Sequence, residues 1–111
     1  MNDRIKEFLK TLPKDTKISL ETYLDYSYKS SGMPQINLVV TVQNSTGSWN
    51  YNQHNRDSIN WEFLPSNISM WFFKSFIINR CKSIDKCSVK VDYSRGINTY
   101  KINNVLISEL I

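Results

Sequence analysis

Ile5, Phe8, Leu9 and Leu12 recur at the three- and four-residue spacing of a helix. Asn2 or Asp3 stands where a cap belongs and Pro13 ends the run, which predicts a short amphipathic helix with one stripe turned to a core. From Lys17 the period falls to two. Ile18, Leu20, Thr22, Leu24, Tyr26 and Tyr28 share one face, and Lys17, Ser19, Glu21, Tyr23, Asp25 and Ser27 the other, as in a long strand covered on one side. Turn-forming residues from Ser30 to Pro34 break it, and Ile36, Leu38, Val40 and Val42 resume the alternation in an antiparallel return. The turn Asn44 to Gly47 leads to a third strand carrying Trp49 and Tyr51. Ile59, Trp61 and Phe63 alternate into a short fourth strand before Pro65.

A second helix is predicted from Ile68 to about Ile84, capped by Ser66 or Asn67. Its stripe is Met70, Phe73, Ile77, Cys81 and Ile84, flanked by Phe76 on one side and by Trp71 and Ile78 on the other. Together with Phe72 these leave a narrow polar sector of Ser75, Asn79, Lys82 and Ser83. That is more apolar surface than one face of a short helix needs, so the Trp71–Ile78 flank, with Lys74 beside it, is the part to be either wrapped or offered to a partner. Lys74 can lay its stem on apolar surface or pair with a partner's carboxylate.

After Asp85, Cys87, Val89, Val91 and Tyr93 alternate with Lys86, Ser88, Lys90 and Asp92 in a fifth strand. Ser94 to Gly96 turns the chain, and Tyr100 and Ile102 mark a sixth strand. If Asn103 and Asn104 form a turn, Val105 to Ile111 returns as a further strand, while Leu106, Glu109 and Leu110 also tolerate a helical turn. The order α-β-β-β-β-α-β-β describes a single α+β domain over residues 1–111. Its expected architecture is an antiparallel sheet of about six strands with two helices packed on one face.

At 111 residues there is room for one core, and 41% hydrophobic with 22% charged residues is the balance of a folded domain rather than a disordered one. The amino-terminal residues carry charges of both signs, unlike a secretory leader. The apolar run around Phe73 is interrupted by Lys74 and too short to span a bilayer, so a cytoplasmic protein without membrane contact is expected.

Candidate chemistry is sparse. Cys81 and Cys87 have no histidine nearby and too few ligand types for zinc; they read as small buried hydrophobes. His54 sits in a polar loop, and no nucleophile elbow surrounds the nearby Ser58. Glu21 and Asp25 share a strand face, yet at roughly 3.3 Å per residue they stand too far apart to share a proton. Gly32, Gly47 and Gly96 are all used in turns, leaving none to cradle a phosphate. No catalytic residue, metal or cofactor is therefore expected, and the chain does not read as an enzyme.

Charge separates the chain into unequal parts. Seven basic residues face two acidic ones between Lys74 and Lys101, whereas the remainder holds seven and eight, so the +4 net charge resides in the carboxyl-terminal third. Lys86, Lys90, Arg95 and Lys101 can form a patch near Tyr93 or Tyr100. This patch is either a phosphate-binding surface or a solvated sheet face balancing Glu21 and Asp25.

The helix from Ile5 to Leu12, the meander from Ile18 to Tyr51, the helical unit from Trp61 to Ile84 and the hairpin from Val89 to Ile102 together resemble the architecture of small immunity proteins of bacterial toxin-immunity systems, including those of the contact-dependent-inhibition type. The resemblance implies a cytoplasmic protein that binds a cognate toxin domain, often a nuclease, and blocks it. Trp71, Lys74, Lys86, Lys90, Arg95 and Lys101 would then be the partner-binding candidates. Many nuclease inhibitors are acidic in imitation of phosphate. This chain is basic, which better suits an acidic toxin surface or binding away from the catalytic cleft. The alternative is a small basic nucleic-acid-binding protein.

Overall fold

A computed structural model describes residues 2–25, 35–53 and 63–111. Helix α1 (Asn2–Lys10) buries Ile5 and Leu9, and its last turn is closed by bonds from the Thr11 and Leu12 N–H groups to the Phe8 and Leu9 carbonyls. Pro13 cannot continue a helical ladder. Its carbonyl instead accepts the Thr16 N–H at 3.1 Å and the Thr16 hydroxyl at 2.7 Å. The Thr16 hydroxyl also accepts from Asn44 Nδ2 at 3.1 Å, so this fully buried polar side chain is satisfied.

Five strands follow the predicted alternation: β1 (Lys17–Asp25), β2 (Gln35–Asn44), β3 (Gly47–Asn52), β4 (Ser88–Asp92) and β5 (Ile97–Leu106). They form one antiparallel sheet in the order β3-β2-β1-β5-β4, which places the first strand in the middle. Ile18, Leu20, Leu38, Val40, Val42, Ile102 and Val105 are buried on one face. Helices α2 (Met70–Ser83) and α3 (Ile107–Leu110) add Phe73, Phe76, Ile77, Ile78, Cys81, Ile107 and Leu110 to the same core. Ile36, assigned to this face by its period, is exposed near the start of β2.

The α+β class and the antiparallel sheet are as expected, but five described strands replace six and three helices replace two. The fourth strand expected over 59–63 lies outside the described residues except for Phe63, which is not in a strand. Phe63 is instead an aromatic plug, its ring centroid 5.2 Å from Phe8, 5.5 Å from Trp49 and 6.4 Å from Phe73. Tyr26, Tyr28, the break at 30–34, His54 and Ser58 also lie outside the described residues.

Helix α2 begins later than predicted. Ser69, not Ser66 or Asn67, is its cap, accepting the Phe72 N–H at 3.2 Å. The earlier candidates are taken up by a turn in which the Ile68 N–H donates to the Pro65 carbonyl at 3.1 Å. At the other end Asp85 adopts a left-handed φ of 60°. Its N–H reaches the Lys82 carbonyl and that of Lys86 the Cys81 carbonyl at 2.8 Å, a paired closure that ends the helix.

Asn103 and Asn104 do not form a turn. They oppose Ser19 as a bulge, because the β1–β5 register passes from Ile18↔Val105 to Leu20↔Ile102. Asn104 takes φ 48°, its N–H donates to Ser19 Oγ at 2.9 Å, and the Ser19 hydroxyl donates back to Asn104 Oδ1 at 3.2 Å. Asparagine tolerates this left-handed conformation; a β-branched residue does not. Asn104→Val is expected to lower the unfolding free energy by about 1–3 kcal/mol, and Asn104→Gly by under about 1 kcal/mol, because glycine accepts the backbone and loses only the side-chain bond. Urea unfolding of the two variants checks the ranking; equal losses would disprove the backbone explanation.

The bulge lets β5 run directly into α3. There Glu109 ties three elements together. Its Oε2 accepts the Leu106 N–H at 3.2 Å, its Oε1 lies 3.7 Å from Lys86 Nζ, and its carbonyl accepts from Arg80 Nε at 3.2 Å.

Candidate protein-interaction surfaces

The first surface is the opening turn of α2. Trp71 is 69% exposed and Phe72 48%, while Ile78 is buried. The surplus apolar surface is thus Trp71 with Phe72, not Trp71 with Ile78. Lys74, one turn on, sets its Nζ 4.7 Å from the centroid of the Trp71 ring, so the amine faces the π cloud while the stem stays half-buried. The contact gives the exposed indole a cationic partner on its own helix. Phe72 also borders a groove of about 390 Å³ between α1 and α2, where Lys6 and Arg80 supply positive charge.

The second surface is the β4–β5 hairpin. Its turn is built by Asp92, whose Oδ1 accepts the Ser94 hydroxyl at 2.6 Å and the Ser94 and Arg95 N–H groups, while Oδ2 pairs with Arg95 Nη1 at 2.8 Å. Gly96 closes the turn at φ 66°. The Ser94 hydroxyl and then Arg95 hold the Asp92 carboxyl down to about 2.

The four basic residues expected to act together are divided. Lys86 is drawn to Glu109 and Arg95 to Asp92. Lys101 stands opposite Glu21 across β1 and β5, which is the charge-balancing arrangement. Lys90 is exposed and has no ion pair among the described residues. Lys90 and Lys101 line one open cleft of about 820 Å³. Lys82, from α2, sits 5.7 Å from the Tyr100 ring.

The alternation of β4 is as predicted, but its apolar face is not covered. Val89 is 44% exposed, Val91 41% and Tyr93 90%, on and just beyond the outermost strand of the sheet. The sequence gives the same period for a covered and an uncovered strand, so this surface had no signal of its own.

Cys81 is buried and its thiol is pushed up to about 11, first by burial and then by Cys87 and Glu109, against Arg80. Cys87 is half-buried and also raised, chiefly by burial. Both thiols should therefore react slowly with Ellman's reagent at mild alkaline pH, Cys87 before Cys81, with Cys81 released only on unfolding. Fast, simultaneous modification of the native protein would contradict this. Among the described residues no group of three His, Cys, Asp or Glu could hold a metal, and no helix is long and apolar enough to cross a membrane.

The chain matches no protein-family model, no curated protein and no solved structure.

Proposed function

We propose that this protein is a non-catalytic protein-binding module, an immunity-type protein that binds and neutralises a cognate toxin domain in the cytoplasm. The observation that carries the reading is Trp71, held out from α2 and faced by Lys74. Exposing an indole costs solvation with no return in the free monomer. Tryptophan is among the residues most concentrated at the energetic centres of interfaces. The positive groups around it, Lys74 with Lys6 and Arg80 in the adjoining groove, suit an acidic partner surface and not the phosphate mimicry of an acidic nuclease inhibitor. The hairpin favours nucleic acid less, since Lys86, Arg95 and Lys101 each already face a carboxylate.

The test is co-expression with the product of the adjacent gene, followed by calorimetry on the purified pair and a growth assay under toxin expression. Saturable binding that survives moderate salt, with rescue of growth, is the expected result. A chain that stays monomeric, binds no such product and rescues nothing would refute the reading. Steeply salt-dependent binding to nucleic acid would replace it with the alternative.

A further inference from the structure

Strand β4 is the last strand of the sheet on its side, with no neighbour beyond it among the described residues. Which of its backbone groups face outward follows from two hydrogen bonds. The Thr99 hydroxyl donates to the Lys90 carbonyl at 3.4 Å, so the Lys90 carbonyl points inward to β5. The Tyr100 N–H donates to Thr22 Oγ1 at 2.8 Å, so Tyr100 turns towards β1, and its neighbours Thr99 and Lys101 turn towards β4. Backbone direction alternates along a strand. Val89 and Val91 therefore present their N–H and C=O groups to the open edge, two donors and two acceptors in the geometry of an antiparallel ladder.

The side chains on this edge specify what pairs with it. Val89 and Val91 lie on one face, exposed, beside the cleft that Leu24, Tyr93 and Tyr100 also line. On the other face Lys90 stands between them without an ion pair among the described residues. A second copy is a poor occupant. The twofold register that uses both outward pairs sets Lys90 directly opposite Lys90 of the other copy, at a non-hydrogen-bonded position where side chains come closest. A lysine on an edge strand is a known brake on self-pairing.

We infer that the β4 edge is a docking site for an extended segment of a partner protein, added as a sixth, antiparallel strand with the pattern apolar, acidic, apolar opposite Val91, Lys90 and Val89. Backbone bonds to Val89 and Val91 supply affinity, the valines and the cleft receive the apolar side chains, and the acidic residue meets Lys90. The site is separate from the Trp71 surface, and its test uses no natural partner, so either can fail without the other.

The experiment titrates isotope-labelled protein with a capped peptide, Thr-Val-Glu-Val-Thr, and with its counterpart carrying Lys for Glu. The expected result is a shift and slowed exchange of the Val89 and Val91 amides, with the acidic peptide bound about fivefold more tightly. Lys90→Glu should invert that preference. Val91→Pro, which removes an outward donor and no bond to β5, should abolish binding while leaving the remaining spectrum in place. Unmoved Val89 and Val91 amides, equal affinity for the two peptides, or a wild-type dimer joined through β4 would each overturn the proposal.

Discussion

Phe73→Ala is expected to lower the unfolding free energy by about 3–5 kcal/mol. Phe73 is fully buried in the first turn of α2, edge-on to Phe63, which in turn meets Phe8 and Trp49. Truncation forfeits the transfer of the ring and leaves a cavity that these neighbours cannot close together. Phe63 is held by a coil segment, Phe8 by α1 and Trp49 by a strand. A domain of this size has about 5–15 kcal/mol in total. The variant should therefore melt well below the wild type, and a loss under about 1 kcal/mol would mean that the aromatic cluster is not the centre of the core.

Trp71→Ala, two positions earlier on the same helix, should do the reverse. With the indole mostly in water, stability should change by no more than about 0.5 kcal/mol, while affinity for the proposed partner should fall by at least about 2 kcal/mol, roughly thirtyfold. Lys74→Met keeps the aliphatic stem but removes the charge over the ring, and should cost less than the loss of the indole. Calorimetric titration beside thermal melts separates the two quantities. Unchanged affinity for Trp71→Ala in a complex that forms would move the contact surface away from α2.

The contrast between these neighbouring aromatics shows how far the sequence could be read. Period and turn chemistry placed α1, the five described strands and the Phe73, Ile77 and Cys81 positions of the α2 stripe, because each depends on residues close together in the chain. They could not tell Trp71 from Ile78, which flank the same stripe; the difference arises from what packs over each, a property of distant residues. Val89 and Val91 failed for the same reason: alternation reports which side a residue faces, not whether that side is covered. Asn103-Asn104 carried a genuine signal for left-handed backbone, but a bulge and a turn draw on the same residues, and only Ser19 across the sheet decides between them. Likewise Ser66, Asn67 and Ser69 are all competent caps, and the turn made by Pro65 chose the last. The division of the basic residues depended on Glu109 joining Lys86 through α3, a helix that the tail left open as a strand.

The bulge opposite Ser19 also bears on how the chain finds its fold. Ser19 and Asn104 are 85 positions apart, whereas Lys90 and Thr99 in the hairpin are separated by nine. Joining the more distant pair costs about 2 kcal/mol more in loop-closure entropy. The middle of the sheet is thus its least local contact, and the hairpins on either side of it are its most local. A refolding chain gains those hairpins cheaply but cannot bury their apolar faces as one surface until β5 reaches β1. If that closure comes last, unpaired strand edges stay exposed until it does, which is the condition under which folding chains aggregate.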